Sequence, residues 1–292
     1  MEYSFPHYLL SKQSVDDRAL NRHVYETMIR SLPAEPLRII EVGAGVGAMF
    51  TRLMRWGMLK RGEYVAVDGM AENVEFALEW IPRWGAEAGL SVERSGRNQM
   101  RVFDQVRDVR LTFERADVFD FIQKNKEKAD LLIAHAFLDL LPMPESLRGL
   151  LSLTKRLAWL TINFDGMTIF EPQIDARLDE KIERLYHQTM DERAGGGDSR
   201  TGRHLFEYLK RSNANILAAG ASDWVVCPQN GHYPDDEAYF LHFILRFFKE
   251  SLGNHPDLEV SEFSAWLEKR ERQIESGELV YIAHQMDFLA QV

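Results

Sequence analysis

A short apolar strand runs directly into three alternating glycines near the start of the chain. Residues 38–47 read Arg-Ile-Ile-Glu-Val-Gly-Ala-Gly-Val-Gly, with glycines at Gly43, Gly45 and Gly47. Because glycine has no Cβ atom, the chain can turn tightly after the strand, bring its backbone against a ligand and pack the next helix close to the sheet. Such a loop is typical of nucleotide-cofactor sites, and it constrains the fold more than any other segment.

The glycine pattern fits two kinds of cofactor, the nicotinamide or flavin dinucleotides and S-adenosylmethionine. It satisfies G-x-G-x-x-G/A, so the pattern by itself does not choose between them. Glu41 stands two residues before the first glycine. A carboxylate there gains little beside an anionic pyrophosphate, whereas it attracts a sulfonium that also carries an ammonium group. Asp68 ends the next predicted strand and suits ribose hydroxyls, which both cofactors have. The charge of Glu41 favours S-adenosylmethionine.

The first part of the chain alternates predicted strands with predicted helices. This alternation is typical of a parallel sheet covered on both faces, in which ligands bind at the carboxyl ends of the strands. The predicted strands are 38–42, 64–67, 110–115, 131–134 and 159–164, and the predicted helices between them are 48–56, 72–80, 118–125 and 145–154.

Four segments in this region resemble, in order, the motif series of class I S-adenosylmethionine-dependent methyltransferases. They are Ile40-Glu-Val-Gly-Ala-Gly-Val-Gly47, Val65-Ala-Val-Asp68, Glu114-Arg-Ala-Asp-Val118 and Ala129-Asp-Leu-Leu-Ile-Ala134. The resemblance covers the first half of the chain and is specific for the superfamily, not for a substrate. It implies an α/β fold with a Rossmann-like methyltransferase sheet, mostly parallel with one late antiparallel strand, and helical cap insertions.

The resemblance also implies a cofactor site at the carboxyl ends of these strands. Glu41 and the glycine loop would lie along the methionyl part of S-adenosylmethionine, and Asp68 would hold the ribose. Asp117 would meet the adenine with the amide of Val118, although Asp is also a common N-cap of a following helix. The complete predicted set is Glu41, Gly43, Ala44, Gly45, Asp68, Gly69, Asp117, Val118 and His135.

Several polar and aromatic residues are candidates for contact with the methyl acceptor. His135, after the fourth strand, is a candidate general base, and a structural hydrogen bond at the strand end is the alternative. Methyl transfer depends mostly on alignment of nucleophile, methyl and sulfur, so a base is not obligatory. For Trp224, core packing is the alternative. The candidate substrate residues are Phe137, Asp139, Asn163, Tyr186, Arg200, His204 and Trp224.

We expect one domain with insertions. A helix predicted from Val15 to Leu32 would cover the cofactor, with Arg18 and Arg22 either reaching the cofactor carboxylate or facing solvent. A single late strand is predicted over 216–226. The predicted segments are an N-terminal helical lid (1–34), the cofactor-binding core (35–170), helices with a late core strand (171–234), a helical cap insertion (235–278) and the final core strand (279–292).

The composition limits which binding partners and which cellular location are expected. The formal net charge of −10 disfavours nucleic acid, which requires clustered Lys and Arg. No apolar run is long enough for a membrane helix and the first residues do not resemble a signal peptide, so a cytoplasmic location is expected. With one cysteine, Cys227, and no closely spaced His or Cys pair, neither a disulfide nor a metal site is predicted. The oligomeric state stays open, a homodimer included.

These patterns predict a transferase, an S-adenosylmethionine-dependent methyltransferase that acts on a small molecule by in-line methyl transfer. They do not show whether oxygen, nitrogen or carbon receives the methyl group. Two alternatives remain. One is an NAD(P)-dependent oxidoreductase, and the other is a non-catalytic binding protein with a methyltransferase-like fold.

Overall fold

A ten-stranded sheet lies at the centre of the computed structural model, which describes residues 3–292. The strand order is β3-β4-β5-β2-β1-β6-β7-β10-β8, and β9 pairs with β10. The strands are β1 (Leu37–Val42), β2 (Arg61–Asp68), β3 (Ser91–Arg94), β4 (Gln99–Phe103), β5 (Asp108–Arg115), β6 (Ala129–His135), β7 (Thr154–Glu171), β8 (Asn215–Ala221), β9 (Trp224–Val226) and β10 (Val280–Gln291).

The middle of the sheet consists of five parallel strands, in the order β5-β2-β1-β6-β7. The hairpin β3–β4 extends one side in the antiparallel sense. On the other side, β10 lies between β7 and β8 and is antiparallel to both. The predicted α/β class is therefore confirmed, with its parallel core and its late antiparallel strand.

Helices cover both faces of the sheet because alternate residues of the central strands belong to two separate cores. Ile39 and Leu131 pack on one face, and Ile40 and Leu132 pack on the other. The helices are α1 (Phe5–Ser11), α2 (Gln13–Ala19), α3 (Arg22–Ser31), α4 (Ala48–Arg55), α5 (Ala71–Glu87), α6 (Val118–Lys124), α7 (Glu145–Leu151), α8 (Ala176–Asp191), α9 (Thr201–Arg211), α10 (Glu237–Leu252) and α11 (Val260–Glu275).

The N-terminal segment differs from its prediction, since the single helix expected over 15–32 is wrong. The structure has α2 and α3 there, preceded by α1, which the sequence analysis missed. The chain breaks at Asn21 because this residue caps α3, with its side-chain oxygen accepting from the amide of Val24 at 3.1 Å. Its own amide donates to Asp287 of β10 at 2.8 Å. Contacts with the sheet therefore decide where the helix is interrupted.

Two late strands also differ from their predictions. The strand expected over 216–226 is divided into β8 and β9, which pair with separate parts of β10, Met286 to Gln291 and Tyr281 to Ala283. The amide of Ser222 in the break donates to Gln285 of β10 at 2.8 Å. β7 extends well beyond the expected 159–164, because it pairs with β10 over most of its length. β10 lies within the expected 279–292. The predicted division into five segments stays a prediction.

A buried ion pair fastens the helical cap to the rest of the chain. Asp179 of α8 accepts from Arg270 Nη2 of α11 at 2.7 Å, and both side chains are almost completely buried. The same carboxylate accepts from Trp266 Nε1 at 2.6 Å and from the amide of Ile174 at 2.9 Å. Asp179 is the shared acceptor of these donors, and Arg270 and Trp266 belong to α11. This one side chain therefore fixes the position of α11.

Replacement of Asp179 is expected to loosen the cap. Asp179→Ala leaves the Arg270 guanidinium buried without its counter-charge, which typically costs about 3–5 kcal/mol. Chemical unfolding followed by circular dichroism measures the loss. The matched control is Glu268→Ala, which removes an exposed pair with Arg272 and should change stability by less than about 1 kcal/mol. Equal effects of the two substitutions would contradict this account.

Candidate functional site

The glycine loop connects β1 to α4 at the carboxyl edge of the sheet. Gly43, Gly45 and Gly47 have φ angles of 66°, 54° and 79°, a region that favours glycine. A Cβ atom on Gly43 would lie 2.3 Å from Cδ2 of Phe137, and one on Gly45 would lie 2.8 Å from Cδ1 of Leu9. The loop therefore forms a cradle that only glycine can line, with Phe137 on one side and the N-terminal helix α1 above it.

Asp68 lies at the end of β2, where the sequence predicts it, and it braces the glycine loop. Its Oδ2 accepts from the amide of Gly45 at 2.8 Å. Its Oδ1 accepts from the amide of Met70 at 2.9 Å and from Nδ2 of Asn73 at 3.1 Å. Since a carboxylate has about four acceptor positions, about one is left for a ribose hydroxyl. The expected contact with both hydroxyls stays a prediction.

Asp117 is the N-cap of α6, which is the alternative that the sequence left open. Its Oδ1 accepts from the amides of Phe119 and Asp120 at 2.8 and 3.3 Å. Two apolar side chains that the sequence analysis missed flank this region: Met70 is 45% exposed and Phe119 is 37% exposed. Their loops are adjacent, because the amide of Ala116 donates to the carbonyl of Asp68 at 3.1 Å. They offer apolar walls for a planar ring.

The remaining predicted cofactor residues also lie at this edge. Ala44 is buried in the loop, and its amide donates to the carbonyl of Val67 at 3.0 Å. Gly69 follows β2 directly, with the carbonyl of Ala116 within 3.8 Å of the position a Cβ would take. Val118 is the buried first residue of α6. The fold thus brings together residues that are far apart in the sequence.

Glu41 is a buried acid beneath the glycine loop. Its Oε2 accepts from the hydroxyl of Tyr64 at 2.7 Å. Burial raises the pKa of Glu41 to about 8, and the hydrogen bond from Tyr64 and the charge of Arg52 oppose this shift. The carboxyl is therefore mainly protonated at neutral pH until a cation lies beside it.

His135 is buried at the end of β6, and both of its ring nitrogens have partners. Nδ1 lies 2.8 Å from Oγ1 of Thr161, and Nε2 lies 2.9 Å from Oδ2 of Asp16. Burial lowers the pKa of His135 to about 4, against the attraction of Asp16. A neutral ring donates from Nε2 and accepts at Nδ1, so neither nitrogen is open to a substrate in this conformation. Its role as general base stays a prediction.

Asp16 of α2 has a central position in the structure, although the sequence analysis predicted no role for it. Besides His135, its carboxylate accepts from Nε1 of Trp224 at 2.9 Å and lies 3.3 Å from Nζ of Lys12. Burial alone would raise the pKa of Asp16, but Lys12, His135 and Arg52 together hold it below its ordinary value. The only sequence signal was the four-residue spacing of Lys12 and Asp16 on a helix.

Arg18 and Arg22 do not reach the carboxyl edge of the sheet. Arg18 donates to both carboxylate oxygens of Glu237 at 2.6 and 2.9 Å, which ties α2 to the start of α10. Arg22 has a 91% exposed side chain and faces solvent beside Glu26. Of the two alternatives, Arg22 therefore faces solvent, and Arg18 is paired with Glu237. The charge of Lys12, by contrast, lowers the pKa of Glu41.

Phe137 and Asp139 follow β6 through a strained turn. Ala136 has a φ of 49°, an uncommon conformation for a residue with a side chain, and it directs Phe137 onto Gly43. Asp139 lies in the 3₁₀ turn Leu138–Leu140 and is partly buried. Burial raises the pKa of Asp139 to about 6. Its side chain forms no ion pair within residues 3–292.

The other predicted substrate residues have separate positions. Asn163 is buried and donates to the carbonyl of Met286 at 2.8 Å, and Trp224 is buried beside Asp16. Tyr186 stacks on Phe248 of the cap with ring centroids 3.8 Å apart. His204 pairs with Asp198 at 2.7 Å, and Arg200 lines an open cavity of about 350 Å³ along the outer part of β7.

A larger cavity of about 650 Å³ opens at the amino-terminal edge of the sheet, opposite the glycine loop. Its charged residues pair with one another, for example Arg110 with Glu63 at 2.6 Å and Arg101 with Asp108 at 2.8 Å. Ligands of parallel α/β sheets bind at the carboxyl edge. The candidate site is therefore the glycine loop and not the larger cavity.

Three further features concern metals, thiols and membranes. Across residues 3–292, no group of three or more His, Cys, Asp or Glu side chains is arranged to hold a metal ion. Cys227 is a free, exposed thiol. None of the helices in this part of the chain has the length and apolar character needed to cross a membrane.

No protein-family model matches the chain, and no curated protein is similar to it in sequence. Among solved structures, a candidate methyltransferase from Bacillus halodurans C-125 aligns with 93% of this chain and 99% of its own, at 10% identity and a TM-score of 0.51. The chain has the class I methyltransferase fold. Two further similar structures have TM-scores below 0.5, so the fold assignment rests on the first.

These two structures contain S-adenosylhomocysteine. Magnesium protoporphyrin IX methyltransferase from Synechocystis PCC 6803 is 15% identical, with 80% of this chain and 85% of that chain covered and a TM-score of 0.43. An S-adenosylmethionine-dependent methyltransferase from Thiobacillus denitrificans is 12% identical, with 99% of both chains covered and a TM-score of 0.45. At such low identity the similarity shows the fold alone.

Removal of the Asp16 carboxylate is expected to release the N-terminal helices. Asp16→Ala leaves the donors of His135, Trp224 and Lys12 without their acceptor, at a cost of about 3–5 kcal/mol. Hydrogen exchange should accelerate most in residues 5–31, with much smaller changes in β1 and β2. Glu26→Ala, on the exposed face of α3, is the control and should leave the exchange pattern unchanged. A uniform rise in exchange after Asp16→Ala would show that Asp16 supports the whole fold and not the lid.

Proposed function

We propose that this protein is an S-adenosylmethionine-dependent methyltransferase acting on a small molecule. The observation that carries this proposal is the buried carboxyl of Glu41 directly before a glycine cradle at the carboxyl edge of β1. A carboxyl in that position favours a ligand with cationic groups over one with a pyrophosphate. The class I methyltransferase fold supports the same conclusion.

The sheet order disfavours the NAD(P)-dependent alternative. The common dinucleotide-binding fold has parallel strands in the order 3-2-1-4-5-6. In this chain the antiparallel strand β10 is inserted between β7 and β8, so that order is interrupted beyond β7. Both the carboxyl of Glu41 before the glycine loop and the strand order of the sheet therefore disfavour a dinucleotide cofactor.

The residues at the site fit the parts of S-adenosylmethionine. The glycine cradle and Glu41 would receive the methionyl part, with Glu41 facing its ammonium group. Asp68 would accept from the ribose, and Met70 and Phe119 would enclose the adenine. Lys12, which is buried and lies 3.3 Å from Asp16, would pair with the cofactor carboxylate. The bound cofactor would supply an electrophilic methyl group, and these residues would hold and orient it.

The N-terminal helices would then act as a lid. Leu9 of α1 packs over Gly45, and Asp16 of α2 fastens the lid to β6 and β9. A ligand on the cradle requires Leu9 to move, because a single Cβ atom at Gly45 would lie only 2.8 Å from it. Closure of such a lid excludes water from the reacting groups.

We also propose a small-molecule acceptor and a cytoplasmic location, in keeping with the acidic composition. The net charge of −10 provides little attraction for a nucleic acid. Positioning by the lid and the cap, without an obligatory general base, is sufficient for methyl transfer in this proposal.

Calorimetric titration with S-adenosylhomocysteine and, separately, NADH and NADPH tests the cofactor. We expect binding of S-adenosylhomocysteine alone, with a dissociation constant in the micromolar range. Gly43→Ala should weaken it by at least about tenfold, because its Cβ atom meets Phe137 in the cradle. Gly89→Ala is the matched control, since Gly89 has a φ of 72° but open space around the Cβ position. Binding of a reduced dinucleotide, or equal losses in both variants, would overturn the assignment.

The affinity for S-adenosylhomocysteine should also depend on pH through Glu41. The pKa of Glu41 is raised to about 8, so at lower pH the carboxyl must lose a proton before it can pair with the ligand ammonium. Affinity should therefore rise by up to about tenfold per pH unit between pH 6 and 8. Calorimetry in buffers of different ionisation enthalpy measures the released proton. Glu41→Gln should flatten the profile, and a flat profile in the unmodified protein would show that Glu41 does not face the ligand.

A further inference from the structure

Asn73 in the first turn of α5 bonds to the acid that ends β2, but half of its own amide group is unpaired. Its Nδ2 donates to Oδ1 of Asp68 at 3.1 Å. Asp68 also accepts from two backbone amides, those of Gly45 and Met70. A carboxylate with these partners is an acceptor, so the NH₂ end of Asn73 must face it. The Oδ1 of Asn73 has no hydrogen-bond partner within residues 3–292, although the residue is only 2% exposed.

The fold does not explain this buried oxygen atom. Most buried side-chain polar atoms have a hydrogen-bond partner, and an unpaired one lowers stability because it has lost its bonds to water. The bond to Asp68 accounts for the NH₂ group of Asn73 and not for its oxygen. Since Asp68 bonds to both Asn73 and Gly45, the unpaired oxygen lies beside the glycine cradle, where it is available to a donor that a ligand brings.

The acceptor positions of Asp68 indicate which donor is missing. A carboxylate has about four such positions, and three are used by Gly45, Met70 and Asn73. A ribose has two neighbouring hydroxyls, so Asp68 by itself has too few free positions for both. Oδ1 and Nδ2 of Asn73 belong to one amide group, which places the unpaired oxygen one amide group away from Oδ1 of Asp68. The two acceptors therefore suit a pair of adjacent hydroxyls.

Both acceptors are covered in this conformation, as the cradle is. Asp68 is only 8% exposed, and Asn73 is still more buried. Helix α1 packs against α5, which carries Asn73, and Leu9 of α1 also packs over Gly45. The displacement of Leu9 that a ligand on the cradle requires is therefore a displacement of a helix that also covers α5.

We propose that Asn73 is a second ribose-binding residue, with its Oδ1 accepting from one ribose hydroxyl while Asp68 accepts from the other. This inference rests on the proposed function and deepens it, because the ribose belongs to the proposed cofactor. Asn73 makes the site specific for a nucleoside with both hydroxyls, since a deoxynucleoside leaves one buried acceptor unpaired. Its Nδ2 at the same time holds Asp68 in position.

Deoxy analogues test this inference on the unmodified protein. S-adenosylhomocysteine and its 2′-deoxy and 3′-deoxy analogues are titrated calorimetrically into the full chain. We expect each analogue to bind at least about threefold more weakly than S-adenosylhomocysteine, which corresponds to the loss of one hydrogen bond. Either analogue binding as tightly as S-adenosylhomocysteine would overturn the inference, because both hydroxyls must have an acceptor. This comparison does not depend on the folding of any variant.

The variant Asn73→Ala then separates the two hydroxyls. It lacks one acceptor, so the analogue without the hydroxyl that Asn73 binds should match S-adenosylhomocysteine within about twofold, while the other analogue still binds more weakly. A residue that only held Asp68 in place would change the affinities for both analogues alike. Asn125→Ala is the matched control, because it removes an exposed amide that donates to the carbonyl of Glu127 at 2.9 Å, and it should leave both affinity ratios unchanged. Thermal unfolding confirms that each variant is folded.

The outcomes distinguish this inference from the proposed function. Affinity ratios that stay unchanged in Asn73→Ala, or that change equally for both analogues, would overturn the ribose contact of Asn73 alone. If NADH or adenosine binds and S-adenosylhomocysteine does not, the methyltransferase proposal fails. The comparison of adenosine with 2′-deoxyadenosine and 3′-deoxyadenosine then decides on Asn73 by the same criteria, because both kinds of cofactor contain the ribose. Binding of none of these molecules would overturn both proposals.

Discussion

The carboxylate of Asp16 joins three parts of the chain that are distant in sequence. It joins α2 to His135 at the end of β6 and to Trp224 in β9 through hydrogen bonds of 2.9 Å to the two rings. A buried carboxylate is unfavourable unless it is paired and hydrogen-bonded, and here Lys12 and Arg52 provide the charge. The position of Leu9 over Gly45, and with it the shape of the candidate cofactor site, depends on this network.

The same network explains why His135 is placed as it is. A histidine after the fourth parallel strand is well placed to act on a substrate, but burial and two side-chain partners keep its ring neutral and fixed. Its pairing with Asp16 makes it part of the attachment of α2 to the sheet. In this conformation both ring nitrogens are occupied, and His135 links α2 to the sheet through Asp16.

Two residues with positive φ lie beside buried residues at the carboxyl edge of the sheet. Ala136 and Ile162 directly follow His135 and Thr161, the last pair of the β6–β7 pairing. Asp287 accepts from the amide of Ile162 at 2.7 Å and also from Asn21 of the lid, so the strained segment and the lid share one buried acid. Strained backbone persists where surrounding contacts determine it, and such positions are common at functional sites.

The glycine loop and the ends of the strands were predictable because their signals are local. Gly43, Gly45, Glu41 and Asp68 directly follow or end apolar strands, and parallel strands bring their carboxyl ends to one edge. The cap helices α10 and α11 were also predictable, because helical periodicity in an apolar stretch does not depend on distant partners. By contrast, Met70 and Phe119 carry no sequence signal, since an exposed apolar residue is ordinary until a neighbouring loop gives it a role.

The sequence by itself determined the α/β class, the glycine cradle and the identity of the acids at the carboxyl edge. Those features follow from residues that are close in sequence. Only the tertiary structure decided that the N-terminal region forms three short helices, that Arg18 pairs with Glu237 of α10, and that Asp16 joins α2 to His135 and Trp224. Each of these depends on contacts between residues far apart in the chain. Burial, which raises the pKa of Glu41, exists only once those contacts form.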